Sequence, residues 1–119
     1  MLDRLVVADA TRPVVAFVHW GREYVAAPSP RETALAEEMR LRGAALIAGA
    51  HPHVADGRLT TLGGGETLMA YSLGNFLFDQ SAATASGTLL ELRVFEQGTV
   101  FARLIGLPNL FDLARPARR

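Results

Sequence analysis

The chain holds three histidines, and they fall in two short motifs: His19-Trp20-Gly21 closes one apolar run and His51-Pro52-His53 closes another. Neutral imidazole is a common ligand for zinc, iron, nickel and copper. In extended chain, residues i and i+2 project to the same face, about 6.6 to 7 Å apart from the strand rise. That span suits one metal ion or a close pair, and Pro52 narrows the backbone conformations that would let His51 and His53 splay. The competing reading makes the same side chains hydrogen-bonded polar residues at loop starts, with no ion present. Three imidazoles without an evident carboxylate partner define no particular metal, so spacing leaves both readings open.

Each motif follows a segment that reads as a buried strand, Val14-Val15-Ala16-Phe17-Val18 before the first and Ala44-Ala45-Leu46-Ile47-Ala48-Gly49 before the second. Between them stands a strong helix start: Ser29 as N-cap, Pro30 at the first helical position and Glu32 placed to close a capping box. The helix is predicted from Pro30 to about Arg42, with Leu35, Ala36 and Met39 as its apolar stripe. Arg31, Glu32, Glu37, Glu38 and Arg40 occupy the wetter side, and Gly43 ends it as a left-handed cap. A strand, helix and strand of this length form a βαβ crossover, whose two strands are expected to be parallel neighbours. Ligands in such sheets sit outside the carboxyl ends of strands, so both histidine motifs should emerge at one edge.

Beyond His53 the pattern changes to short, antiparallel-looking strands separated by glycine. Arg58 to Leu62 and Glu66 to Ser72 flank Gly63-Gly64-Gly65. Thr88 to Phe95 and Thr99 to Ile105 flank Glu96-Gln97-Gly98. Leu90, Leu92 and Val94 alternate with Glu91 and Arg93, as a strand with one buried face would. Between the hairpins lies Tyr71-Ser72-Leu73-Gly74-Asn75-Phe76-Leu77-Phe78-Asp79. Its Gly74-Asn75 bend would present the Asn75 amide, and Asp79 adds a carboxylate; the plainer reading, a turn flanked by core aromatics, is the favoured one. Trp20, Glu23 and Tyr24 face a similar choice, with Glu23 either orienting an imidazole or standing as a loop carboxylate.

At 119 residues with half of them hydrophobic, the chain has the size of a single domain with a real core. Twelve basic residues balance twelve acidic ones, which gives no electrostatic case for nucleic acid or an anionic membrane surface. Cysteine is absent, so any metal site must use nitrogen and oxygen. No segment approaches the roughly 18 apolar residues of a bilayer span, and residues 109–119 read as a flexible tail.

Together, His19-Trp20-Gly21-Arg22-Glu23-Tyr24, Gly49-Ala50-His51-Pro52-His53-Val54 and Tyr71 to Asp79 resemble, in order and spacing, the signatures of the bacterial capsule synthesis, or poly-γ-glutamate biosynthesis, proteins of the CapA type. The resemblance covers roughly residues 14–108. It implies the calcineurin-like metallophosphoesterase fold, an α/β/β/α sandwich with a two-metal centre. It further implies that His19, His51 and His53 are metal ligands, with His19 and His51 on one metal and His53 on the other. Trp20, Glu23, Asn75 and Asp79 are then candidates for supporting those ligands or touching substrate. The cofactors implied are divalent manganese, zinc or iron, and a dinuclear centre of this kind lowers the pKa of a bridging water.

One departure matters. Such a centre also draws aspartates, a bridging carboxylate and an Asn-His pair from the amino-terminal half of the fold, and Asp3 and Asp9 stand in no such context. The expectation is therefore an α/β partial domain over residues 1–119: the carboxyl-terminal half of the sandwich, one βαβ unit followed by antiparallel hairpins. Its partner would be the missing amino-terminal half and, beyond that, capsule or poly-γ-glutamate machinery of the cell envelope. Two functions follow. The parent would be a metal-dependent hydrolase-like protein to which this chain lends ligands, while the chain alone would be inactive. Alternatively, the chain is a non-catalytic remnant or assembly subunit without metal.

Overall fold

The structure is a computed structural model, and it describes residues 12–78 and 84–108. A first strand, β1 (Val14–His19), leads through a loop to helix α1 (Pro30–Leu41) and then to β2 (Ala44–Ala50). Next come β3 (Thr60–Leu62), β4 (Thr67–Ala70), β5 (Gly87–Val94), a 3-10 turn (Glu96–Gly98) and β6 (Val100–Leu107). Four strands form one sheet in the order β1-β2-β4-β3, and β5 and β6 form a separate ribbon. This mixed α/β architecture agrees with the expected fold class. The flexible tail assigned to residues 109–119 lies outside the described residues.

Local chemistry explains the crossover. The Ser29 N–H donates to the Glu32 carboxylate at 2.8 Å within a capping box, and Pro30 occupies the first turn. That geometry satisfies donors the helix itself cannot pair. At the other end Gly43 adopts φ +89°, and its N–H donates to the Arg40 carbonyl at 2.8 Å. Ala36 and Met39 are buried beneath the helix. With Ala16, Trp20, Ala44, Ile47, Met69 and Tyr71 they make the core, against which Val18, Leu35 and Leu62 pack.

β1 and β2 are parallel, with His19 opposite Ala50 at the carboxyl end. β4 also runs parallel to β2, pairing Ile47 with Met69, while β3 and β4 form the antiparallel hairpin around Gly63 to Gly65. The antiparallel expectation for this region thus holds for the hairpin but not for the β2–β4 pairing. Three strand ends, those of β1, β2 and β4, consequently deliver the three motifs to one edge of the sheet.

Two expectations about burial need correction. β1 was expected to be a buried strand, yet it buries only one face: Ala16 points into the core, whereas Val15 is 43% and Phe17 69% exposed. Val94 was expected on the buried face of its strand and is exposed with Leu89 and Phe101. α1 covers one side of the four-stranded sheet; on the other side Leu46 and Ala48 are buried, and Val15, Phe17 and Leu89 line an apolar cavity of about 450 Å³, so the exposed residues lie on the edge strand β1 and on the separate ribbon. No helix among the described residues is long and apolar enough to cross a membrane.

Candidate metal centre

The loops that leave β1 and β2 are stitched together by backbone hydrogen bonds. The Trp20 N–H donates to the Ala50 carbonyl at 3.1 Å and the Tyr24 N–H to the Pro52 carbonyl at 2.7 Å. This ties the His19 loop to the His51 loop independently of any side chain. Beneath them Trp20 is buried, and its indole N–H donates to the Tyr71 carbonyl at 3.0 Å. Gly49 makes the close packing feasible, because a Cβ there would collide with that carbonyl and with the Trp20 indole nitrogen.

His51 and His53 do not sit on extended chain as the spacing argument assumed. Their φ angles are +99° and +60°, and Tyr24 has +65°. These are the three non-glycine residues with positive φ among the described residues. Such conformations are costly for side-chain-bearing residues and persist where surrounding structure holds them; here the fully buried Pro52 and the Tyr24 hydrogen bond do so. The bends, rather than the pleat of a strand, bring the two rings to 6.0 Å between centroids. His19 comes from the neighbouring strand to within 4.7 Å of the His51 ring.

A carboxylate joins them. Ligand atoms of Glu23, His51 and His53 all lie within 4.8 Å of one another. Ligands bound at about 2.0 to 2.2 Å around a tetrahedral ion are separated by roughly 3.4 Å, so modest side-chain movement would bring all three onto one cation. Glu23 therefore stands one side-chain movement away from the pair. His19 flanks His51 outside that trio. Tyr24 and Phe78 border the His53 ring at centroid distances of 6.3 and 5.3 Å.

Asn75 fixes the chemistry of His53. Its side-chain nitrogen donates to the Thr84 carbonyl at 2.6 Å, and its side-chain oxygen lies 2.8 Å from His53 Nδ1. A carbonyl can only accept, so the amide must turn its nitrogen toward Thr84 and its oxygen toward the imidazole. Nδ1 then has to carry the proton, which leaves the Nε2 lone pair available as a ligand. Asn75 itself is 7% exposed, and Gly74, with φ +68°, makes the bend that turns it inward. Phe76, Leu77 and Phe78 beside it are exposed, whereas Tyr71 on the other side of the turn is core, so the expectation of flanking core aromatics holds for Tyr71 alone of the three aromatics. Asp79 lies outside the described residues. Thr84 and Gly87 were not marked by the sequence. Thr84 acts through a backbone carbonyl, which leaves no side-chain signature; Gly87 leaves room for the Asn75 backbone, where a Cβ would clash.

Near the site, burial raises the Tyr71 hydroxyl above its ordinary pKa, with Glu32 and Asp56 adding to the effect. Its Oη is buried and has no hydrogen-bond partner.

The fold and this edge define an α/β unit that gathers imidazoles and a carboxylate at the carboxyl ends of parallel strands. Comparison with known proteins gives the family. The model of the bacterial capsule synthesis protein PGA_cap family matches residues 4–80, and the chain belongs to that family. The capsule biosynthesis protein CapA of Bacillus anthracis is 40% identical over 95 residues, covering 79% of this chain and 22% of that protein. The PGA biosynthesis protein CapA of Bacillus subtilis (strain 168) is 40% identical over 87 residues, covering 72% of this chain and 22% of that protein. The chain thus spans about a fifth of the length of these relatives. No solved structure matches it significantly.

Proposed function

We propose that this chain supplies the histidine end of a divalent-metal site in a CapA-type protein of capsule or poly-γ-glutamate biosynthesis. The observation that supports the reading most strongly is the Thr84–Asn75–His53 relay, which leaves His53 Nε2 as a bare donor beside His51 and Glu23. Metal-ligating histidines commonly have the second ring nitrogen held in this manner. His51, His53 and Glu23 would hold the cation, manganese, zinc or iron, and His19 would serve a second ion or the same one from the β1 side. An ion bound there supplies Lewis acidity and an acidified water. The chain's own contribution is positional: two strained loops hold the imidazoles, Asn75 sets a tautomer, and Trp20 and Pro52 fix the floor.

In the whole protein this arrangement fits a metal-dependent hydrolase-like activity, completed by ligands from outside this chain. Calorimetric titration of the chain with zinc and with manganese tests the binding step. Stoichiometric binding that His51→Ala and His53→Ala abolish is expected. Absence of saturable binding, or binding indifferent to both substitutions, would favour the reading in which the histidines are purely structural. In a complete CapA-type relative, metal content and phosphodiesterase activity that survive replacement of the residue matching His51 would sink the catalytic role.

A further inference from the structure

A second functional feature adjoins the histidines on the α1 side. A cleft of about 520 Å³ is floored by Gly21 and Tyr71 and walled by Arg22, Ser29, Arg31 and Glu32. A smaller one of about 280 Å³ shares Gly21, Arg31 and Glu32 with it and reaches His19. The two therefore form a trough running from the histidine edge along the first turn of α1.

The arginines distinguish this trough from an ordinary solvated face. Arg40, Arg42, Arg58, Arg93 and Arg103 each lie against a carboxylate. Arg22 and Arg31 make no ion pair among the described residues, and both line the same cleft. Arg31 acts on its neighbour Glu32 only through space, and the Glu32 carboxylate is engaged by the capping box. The second observation is Tyr71: it is 1% exposed, it lines the cleft, and its hydroxyl lacks any partner. A buried hydroxyl without a hydrogen bond is costly. It lies under the Gly21 turn, where a Cβ would strike it. The donors of the helix amino terminus are taken by the capping box, which leaves two unpaired guanidinium groups and an unmatched hydroxyl donor as the groups complementary to negative oxygen.

We propose that this trough is an oxyanion subsite, which takes a carboxylate or phosphoryl group of a ligand whose adjacent portion reaches His19 and His51. Arg22 and Arg31 supply the charge, and the unpartnered Tyr71 hydroxyl, for which Gly21 leaves room, supplies a donor from the floor. The subsite needs no metal, so its failure and the failure of the metal reading are separable.

The test uses the 119-residue chain, ¹⁵N-labelled and treated with chelator, titrated at constant ionic strength with inorganic phosphate and separately with glutarate. Saturable shifts at the Gly21, Arg22 and Arg31 amides are expected, and they should weaken by about tenfold or more in the Arg22→Gln/Arg31→Gln double variant. Both substitutions are on exposed side chains, so the fold is retained. Response to phosphate alone assigns a phosphoryl group, and response to glutarate assigns a carboxylate. Tyr71→Phe, which keeps the ring, should weaken binding as well. Shifts that do not saturate with either anion, or equal affinity in the parent chain and both variants, would overturn the proposal.

Discussion

Replacing Asn75 separates its hydrogen bonds to Thr84 and to the His53 ring and so tests how the site is built. In Asn75→Ala both are lost, together with the longer hydrogen bond from the amide nitrogen to the His53 carbonyl at 3.5 Å. The Thr84 carbonyl, on a buried residue, loses its amide donor, and His53 Nδ1 loses its acceptor. An unsatisfied buried polar group costs about 1 to 3 kcal/mol, and that is the expected fall in unfolding free energy. Releasing the tautomer should weaken metal affinity by about 10- to 100-fold. Asn75→Asp divides these effects. A carboxylate still accepts from His53 Nδ1 but cannot donate to Thr84, so stability should fall while the Nδ1–H tautomer and metal affinity are kept or raised. The assay pairs urea unfolding with imaging of imidazole ¹⁵N shifts, which report each ring's protonated nitrogen directly. If the Ala and Asp variants lose metal affinity equally, or if His53 carries its proton on Nε2 in the parent chain, the relay argument is wrong.

Other outcomes follow from the same geometry. Gly49→Ala should destabilise at or above the upper end of the ~1–3 kcal/mol overpacking range, because its Cβ meets the Tyr71 backbone rather than a movable side chain; denaturant midpoints measure this. Glu32→Ala should lower stability at neutral pH by removing half of the capping box. The Ser29 hydrogen bonds hold the Glu32 carboxyl below its ordinary value, so its contribution is present above the ordinary glutamate range and lost as pH falls through the lowered folded value. The difference between the two proteins should therefore shrink in unfolding series taken toward acid. Phe17→Ser, at a position 69% exposed, should change stability by no more than about 0.5 kcal/mol. It should also reduce binding of a hydrophobic dye to the apolar cavity that Phe17 lines; an unfolded variant would show that Phe17 is packed.

Much of the scaffold was legible because it is written in local signals. Ser29, Pro30 and Glu32 announce a helix start, Gly43 its end and Gly63 to Gly65 a hairpin, and the crossover rule then places His19 and His51 at one edge. The site itself was less legible, since the alternation rule assumes extended backbone and His51 and His53 occupy positive φ. The reach of Glu23 depends on a loop pinned by the Tyr24–Pro52 hydrogen bond, which is made by backbone atoms that every sequence possesses. The exposure of Val94 and Phe17 depends on what covers the sheet, and an alternating pattern marks an apolar face without stating whether anything lies against it.

Zinc titration of the chain, followed by the imidazole ¹⁵N resonances of His51 and His53, tests the central claim most directly. The account predicts that His53 Nε2 moves to the metal-bound position at one equivalent while Nδ1 keeps its proton, with His51 responding in step and Glu23→Gln weakening the transition. Unperturbed rings at saturating zinc, or coordination through His53 Nδ1, would contradict it.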